Sequence, residues 1–473
     1  MKTFIASLAA ILLCQIQAWA APAWETTYWV WHRESPLSAE EVRGLGRQSI
    51  RKLYWHAGTL RAGGSAWILE GRLQLPSNAV AASLAIVPVL RLSIDGAMPL
   101  EEAASESVSA VLAEALQQSG ASEAQIDFDC PDRRLAEYAV FLARCRARIA
   151  PAKLSVTALA GWSRSPAFEN LQASADLLLP MFYDLLPDRP SDVCEGRVLP
   201  LVDAGSMAKQ LASWRACRVP WLAGLPNFAR VTIFDASGRS RGHLRAWDWD
   251  AICFSPNLEL RSPSVSGVTL FTVVSDTVIA DTPVKKGETV ACRWPDPAQL
   301  VTAISALKNS GASGLALFRL PGSGTQGGWS LRQLETLLRE DQAGQPDLKV
   351  RRALHGLEVS NVSESDLPPR LAGPDGPRDR GWQIEVESSA GAVFREANPG
   401  EFAHVFAHAD PDAAEPRLVA TPLAQRLTYW FSELRAGQSR QTGLLQLAPD
   451  AAFSSLRWRL RGSAQIFPWQ PIE

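Results

Sequence analysis

Along the first two thirds of the chain, short and nearly continuous apolar runs alternate with stretches whose apolar residues recur at helical spacing. Ala85 to Leu92 (A-I-V-P-V-L-R-L) is the clearest run, with the pattern of a parallel strand buried on both faces. Strands are predicted at Thr27 to His32, Lys52 to His56, Ala85 to Leu92, Gln125 to Asp129, Leu154 to Ala160, Asp176 to Tyr183, Pro220 to Leu225 and Gly314 to Arg319. Helices are predicted at Ala39 to Ser49, Glu101 to Ser119, Arg133 to Ala150, Met207 to Cys217 and Pro297 to Ser310. The first of them opens on Ser38 with Glu41 three residues on, the capping-box spacing. Trp67 to Leu75 reads as an inserted strand pairing outside the alternation, and Phe228 to Cys292 as irregular apart from a hairpin around Val265 to Val274. Eight strands, most separated by helices, predict an α/β fold, a (β/α)8 TIM-like barrel over residues 21–340.

From about Asp347 the texture changes to strand-length runs between turns: Val350 to Val359, Trp382 to Val386, Phe402 to His408, Arg426 to Glu433, Thr442 to Leu447 and Leu456 to Leu460. A stretch rich in Pro, Gly and charge at Gly373 to Asp379 interrupts them as a loop. A β-sandwich domain is expected over 347–473. At the other end, Lys2, the apolar run Phe4 to Leu13 and the Ala18-Trp19-Ala20 site have the form of a signal peptide over 1–20. That run is too short to span a bilayer. The mature chain is expected to be exported, periplasmic or extracellular, without a membrane span.

The strand at Ala124-Gln125-Ile126-Asp127-Phe128-Asp129-Cys130-Pro131 carries the candidate chemistry. Alternation sends Ile126 and Phe128 to one face and Gln125, Asp127 and Asp129 to the other, with the aspartate Cα atoms roughly 6.6 Å apart. Two carboxylates at the carboxyl end of a strand feeding a helix stand where barrel enzymes keep their reacting groups. Two inward acids repel unless a substrate, cation or base answers them. Solvated aspartates capping a helix start are the competing reading.

A net charge of −2 gives no reason to expect nucleic acid or an anionic membrane. Tryptophan is abundant, 17 residues against 5 tyrosines, and flat indoles suit sugar faces as well as cores. Trp31, Trp55, Trp162 and Trp329 fall at or after strand ends, where they could stack sugars or fill the core. Trp31-His32 and Trp55-His56 end the first two strands, so His32 and His56 could form an acid–base pair or a metal site with an aspartate, or be hydrogen-bonded packing residues. His404 and His408 are too far apart along a strand to chelate together. Arg91 and Arg319 end strands too, and could hold an acidic sugar or neutralise the aspartates, the latter being favoured. Asn227 follows the seventh strand. Seven cysteines fall to six without Cys14. Cys194 with Cys217 and Cys253 with Cys292 are plausible disulfides, with Cys130 and Cys145 free. No C-x-x-C spacing points to zinc, and the glycines of Gly322 to Gly328 lack a phosphate-loop lysine, so no cofactor and no metal is expected.

The acidic strand, the Met181-Phe182-Tyr183-Asp184 strand end and the eight-strand order resemble the family-eighteen glycoside hydrolases, the chitinase-like barrels. Those carry D-x-x-D-x-D-x-E on the fourth strand and M-x-Y-D on the sixth. A nearer resemblance, through the I-D-F-D-x-P strand and the Arg-rich helix after it, is to a bacterial domain-of-unknown-function family, number 3142, of exported proteins. On the chitinase-like motif, Asp127 and Asp129 take the second and third acids, Ala124 the first, and Pro131 the place of the general-acid Glu. Without that Glu, the family's substrate-assisted hydrolysis cannot run in its usual form. Tyr183 and Asp184 match the sixth-strand pair, which the resemblance implies contacts the reacting sugar.

These residues predict a glycoside-hydrolase-like protein acting on a polysaccharide or oligosaccharide at the barrel's carboxyl face. Asp127, Asp129 and Asp184 are the candidate acid, base or nucleophile, a pair of carboxyls being what glycoside cleavage needs. Tyr183, Trp31, His32, Trp55, His56, Arg91, Trp162, Asn227 and Arg319 are the candidate substrate contacts. The alternative is a non-catalytic polysaccharide-binding or scaffold barrel that has lost the acid.

Overall fold

In a computed structural model of the chain, the residues described are 24–31, 33, 35–76, 84–93, 99–265, 267–322, 328–339, 344–372, 380–391, 393–409, 417–462 and 465–473. The expected signal peptide, His32 and the stretches 323–327 and 373–379 lie outside them.

Eight parallel strands form a closed ring: β1 (Glu25–Val30), β2 (Lys52–Gly63), β3 (Ala85–Ser93), β4 (Glu123–Asp127), β5 (Lys153–Leu159), β6 (Leu177–Met181), β7 (Leu222–Pro226) and β8 (Gly314–Phe318). Each pairs with the next, and β8 returns to β1 in the register Glu25↔Gly314 through Trp29↔Phe318. That closure needs glycine at 314, where an added Cβ would fall 1.9 Å from the Glu25 carbonyl oxygen. The helices packed outside are α1 (Ala39–Arg47), α2 (Glu102–Ser119), α3 (Leu135–Ile149), α4 (Phe168–Ala173), α5 (Ala204–Trp214), α6 (Pro297–Lys308) and α7 (Leu331–Leu338). Their starts are set by side chains that satisfy otherwise orphaned amides: the Ser38/Glu41 capping box on α1, Asp203 on α5, Asp296 ahead of Pro297 on α6 and Ser330 on α7.

The strands bury both faces. Trp29, Tyr54, Val87, Val89, Leu179, Leu222 and Ala316 fill the ring, while residues such as Ile126, Phe128, Tyr138 and Trp214 form the layer beneath the helices. The alternation read along β4 holds: Ala124, Ile126 and Phe128 join the outer layer, and Gln125 turns inward, its side-chain oxygen accepting a 2.7 Å bond from Trp29 Nε1. The inserted strand is Ala66–Leu69, antiparallel to the extended end of β2 and outside the ring.

Three expectations are corrected. The segment between β7 and α6 is not irregular. Its strands Ser240–His243, Arg230–Phe234, Thr289–Arg293, Val268–Val273 and Leu258–Val265 form, in that spatial order, a five-stranded antiparallel sheet with its own core of Val231, Ile233, Phe271 and Val290. The hairpin expected around Val265 to Val274 is present, between Leu258–Val265 and Val268–Val273; the other strands lack the long intervening helices whose alternation marked the ring. Second, Val350 to Val359 is a hairpin of Leu348–Arg352 and Leu357–Asn361, because the chain reverses where Ala353 N–H meets the Gly356 carbonyl. Third, Cys130, Cys145, Cys194, Cys217, Cys253 and Cys292 are all free thiols, so the pairs Cys194–Cys217 and Cys253–Cys292 are absent. Local acceptors engage them instead: Cys217 Sγ donates to the Val219 carbonyl at 3.4 Å and Cys253 Sγ to that of Arg370 at 3.3 Å.

The carboxyl-terminal region is antiparallel. A five-stranded sheet (His404–His408, Arg426–Phe431, Trp382–Ser388, Leu456–Arg461, Gln470–Pro471), a three-stranded sheet (Leu348–Arg352, Leu357–Asn361, Ser439–Gln441) and a two-stranded one (Phe394–Ala397, Leu445–Leu447) enclose a common core that includes Val350, Val359, Ile384, Tyr429 and Trp458. This region grips the insert. Arg380 Nη1 donates to the Cys253 and Leu258 carbonyls, while Asp250 accepts from Ser432 N–H at 2.7 Å and pairs with Arg440 Nη1 at 2.5 Å.

Candidate active site at the barrel mouth

A cavity of about 1120 Å³ opens over the carboxyl ends of the strands. Asp127, the last residue of β4, reaches it with one carboxylate oxygen accepting a 2.8 Å bond from Thr157 Oγ1 on β5. Asp129, two residues on, lines the same cavity with no side-chain hydrogen bond among the described residues. Arg91 stands opposite Asp127 in the β3–β4 register, yet no carboxylate lies in ion-pair contact with it among the described residues. Burial pushes the Asp127 carboxyl up to about 6, helped by the charge of Asp129 and opposed by Thr157 and Arg91. Asp129 is also raised by burial, against the pull of Arg91. Although Asp129 has surface open to the cavity, protein rather than bulk water surrounds it on most sides, which explains a raised value on an exposed group.

Phe182, just past β6, packs outward against Trp214 and Trp221, and its neighbour Tyr183 turns into the cavity, stacked 6.3 Å from Phe318 and edge-on to Phe228 at 5.6 Å. Burial and the nearby aspartates push the Tyr183 hydroxyl well up, so it stays protonated and able to donate. Asp184 takes the left-handed conformation (φ 51°) and pairs with Arg230 Nη2 at 2.5 Å. Of the expected contacts, Trp31, Arg91, Tyr183 and Arg319 line the cavity with all three aspartates.

The others are held elsewhere. Trp55 has the opposite parity to Tyr54 and sits in the strand–helix layer. Trp162 folds beneath the mouth, its Nε1 donating to the Cys130 carbonyl at 3.2 Å. His56 lies against Trp31, ring centroids 4.3 Å apart, with Nε2 3.2 Å from Thr59 Oγ1, and does not line the cavity. Asn227 is a staple: its amide donates to the Arg319 carbonyl at 2.9 Å and to that of Trp329 at 3.3 Å, while its oxygen accepts from Trp329 N–H at 2.8 Å. Trp329 is buried likewise, Nε1 donating to the Pro295 carbonyl. Among the described residues no three His, Cys, Asp or Glu side chains gather to hold a metal ion.

The mouth also holds residues that the sequence did not single out. Asp132 lines the cavity one position past Pro131, which stands at the motif's Glu position; no glutamate does so among the described residues. Its place beside the acidic strand was the available signal. The insert supplies Arg230, His243 and Arg245, and nothing in its sequence pattern pointed to them. His243 is held from behind. Arg293 chelates Asp188 at 2.6 and 2.7 Å and donates to Thr232 Oγ1 at 3.0 Å; that oxygen lies 2.9 Å from His243 Nδ1. A guanidinium cannot accept, so the buried Thr232 proton goes to Nδ1, which fixes the imidazole proton on Nε2. Burial and the charges of Arg230 and Arg293 hold His243 below its usual value, in the neutral form.

Residues 84–246 match the family model described as a domain of unknown function (DUF3142). The match is the one that the I-D-F-D-x-P strand resembles. It covers the acidic strand and runs into the insert as far as Ala246, so it contains every mouth residue named above except Trp31, Phe318 and Arg319. No curated protein matches the chain. Among solved structures, similar folds include a chitinase from Chromobacterium violaceum ATCC 12472 (16% identity, 64% of this chain and 95% of that one, TM-score 0.43). The spore cortex-lytic enzyme SleL of Bacillus megaterium QM B1551 is another (12% identity, 63% and 71%, TM-score 0.43). A family GH18 chitinase from Chromobacterium violaceum aligns over 94% of this chain and 91% of its own (11% identity, TM-score 0.42). The barrel assignment stands on the strand pairing itself.

Proposed function

We propose that this chain is an exported glycoside-hydrolase-like protein that cleaves a polysaccharide in the barrel mouth with Asp127 and Asp129. The observation that carries the reading is an acid pair at a strand end, with no cation in ion-pair contact among the described residues and one member raised to about 6. Environments that set two carboxyls apart assign them different roles. Asp127, half-buried and bonded to Thr157, is the proton reservoir: its proton passes to the glycosidic oxygen as the C–O bond breaks. Asp129, open to the cavity, faces the anomeric carbon and takes the proton of the attacking water, whose oxygen stays on the sugar. Tyr183 donates to the substrate, and Asp184, already committed to Arg230, positions the insert. Trp31, Tyr183, Phe228 and Phe318 provide flat surface for sugar rings. The signal-like residues 1–20 support export, and no helix among the described residues is long and apolar enough to cross a membrane. The division into a barrel over 21–340 and a sandwich over 347–473 belongs to the same proposal.

One observation favours the non-catalytic alternative: Ala124 and Pro131 stand where the chitinase-like motif has its first acid and its Glu. A glycan-array screen of the protein beside Asp129→Asn, with reducing ends assayed on every hit, separates the two. Reducing ends from the protein alone support hydrolysis. Binding with no product from either leaves a binding barrel.

A further inference from the structure

Elsewhere in the molecule some arginines meet acids, Arg33 with Glu41 at 2.7 Å, Arg146 with Asp176 at 2.5 Å and Arg241 with Glu288 at 2.7 Å, and others, such as Arg43, Arg51 and Arg215, are exposed to water without one among the described residues. The mouth gathers five on one concave surface. Arg91, Arg164, Arg230, Arg245 and Arg319 all line it, and only Arg230 has a carboxylate in contact. Among the described residues the other four make no ion pair.

Their placement is as informative as their number. Arg91 comes from β3 and Arg164 from the turn after β5, so they flank the acidic strand on both sides. Arg319 follows β8, which stands four strands from β4 in either direction around the ring, and therefore faces the acids across the mouth. Arg245 follows the insert strand Ser240–His243. Water can solvate Arg91, Arg164 and Arg245, which are exposed. Arg319 is different, half-buried and with its charged form disfavoured by burial alone. A desolvated guanidinium without a counter-charge is costly, and a bound anion recovers that cost. Its planar fork of donors matches a carboxylate, while the three exposed arginines raise the local concentration of anions at the opening. A neutral glycan would leave all four guanidiniums unanswered.

We propose that the polysaccharide taken by this mouth is anionic and carries carboxylates on its sugar rings, with Arg319 and Arg245 holding acid groups on either side of the glycosidic bond that Asp127 and Asp129 face. This rests on the reading that the mouth takes a polysaccharide at all. The test is calorimetric titration of the full chain with oligomers of galacturonate, mannuronate and glucuronate, each beside its carboxyl-reduced, neutral counterpart. The protein should bind at least one acidic oligomer about tenfold or more tighter than the reduced form, the scale of one charge-assisted bond to a half-buried arginine. Arg319→Gln should remove most of that preference. Arg245→Gln, at an exposed position where folding is not at stake, should remove part of it, and added salt should weaken acidic binding only. Equal binding of acidic and reduced oligomers overturns the proposal and leaves the glycan reading standing. Binding of neither class overturns both, and a preference untouched by either arginine variant places the acid groups elsewhere and overturns the assignment.

Discussion

The two ends of the barrel treat their charges in opposite ways, and strand β4 carries both treatments. At its amino end, Glu123 lies 3.2 Å from Lys52 Nζ and accepts from the Tyr54 hydroxyl at 3.0 Å, and Lys52 also reaches Glu25 at 3.0 Å. In its middle, Gln125 is bonded to Trp29. At its carboxyl end Asp127 has a hydroxyl and a like-charged neighbour, and a raised carboxyl. Glu123, Gln125 and Asp127 share one parity, so the same backbone geometry produces a satisfied ion cluster at one end and a frustrated acid pair at the other. One end closes its charges on one another; the other leaves Asp127 and Asp129 without a cation in ion-pair contact among the described residues, at the face where barrels of this kind carry their sites.

That contrast can be broken from either side. The largest effect is expected at the mouth, where Asp127→Asn should lower turnover of any cleaved glycan by about a thousandfold, the scale of general acid catalysis, with circular dichroism unchanged. At the other end, Lys52→Met should cost about 2 kcal/mol of stability in a denaturant titration, by leaving Glu123 and Glu25 without their cation, and leave glycan binding unchanged. A smaller effect is expected behind His243. Thr232→Val should release His243 from the Nε2–H tautomer into a mixture, read from the imidazole nitrogen shifts by NMR, and Thr232→Ser should restore the single tautomer, since only the hydroxyl fixes the imidazole.

The smallest expected effect is thermal and has a defined sign. Asp127 ionises in the folded protein near 6 rather than 3.8, with Asp129, Arg91 and Tyr183 facing it, so folding disfavours its charged form. The destabilisation is absent below about pH 4, where the group is protonated folded or unfolded, grows as pH rises towards about 6 and is complete above that. Asp127→Asn should therefore raise Tm by a few degrees, roughly 2–4 °C, at pH 7.5 and leave it unchanged near pH 4, as scanning calorimetry would show. A variant that is more stable and far less active would sharpen the contrast between the two ends.

Much of the barrel was legible because its determinants are local. The Ser38/Glu41 spacing marked α1, Ala85 to Leu92 could only be a strand buried on both faces, and the alternation along β4 placed Asp127 on the inner side. What escaped depends on distant contacts. His243 ends, and Arg245 follows, a short hairpin whose pattern says nothing of the mouth it covers. Trp55 and Trp162 sat at suitable strand ends, yet parity and a tight turn bury them. Asn227 holds backbone that the sequence could not place beside it, and four of the six thiols, Cys130, Cys145, Cys217 and Cys253, found carbonyls rather than one another.

Asp250 and Arg380 bear on inheritance. The insert that roofs the mouth is clasped to the carboxyl-terminal sheets through them, so a chain shortened at residue 346 would strand Asp250 and release the carbonyls that Arg380 holds. Recombination could not trade the barrel for another without remaking that clasp. An exchange that kept the clasp would have to carry the roof and the terminal sheets together, with Asp250 facing Ser432 and Arg440, and Arg380 facing the Cys253 and Leu258 carbonyls.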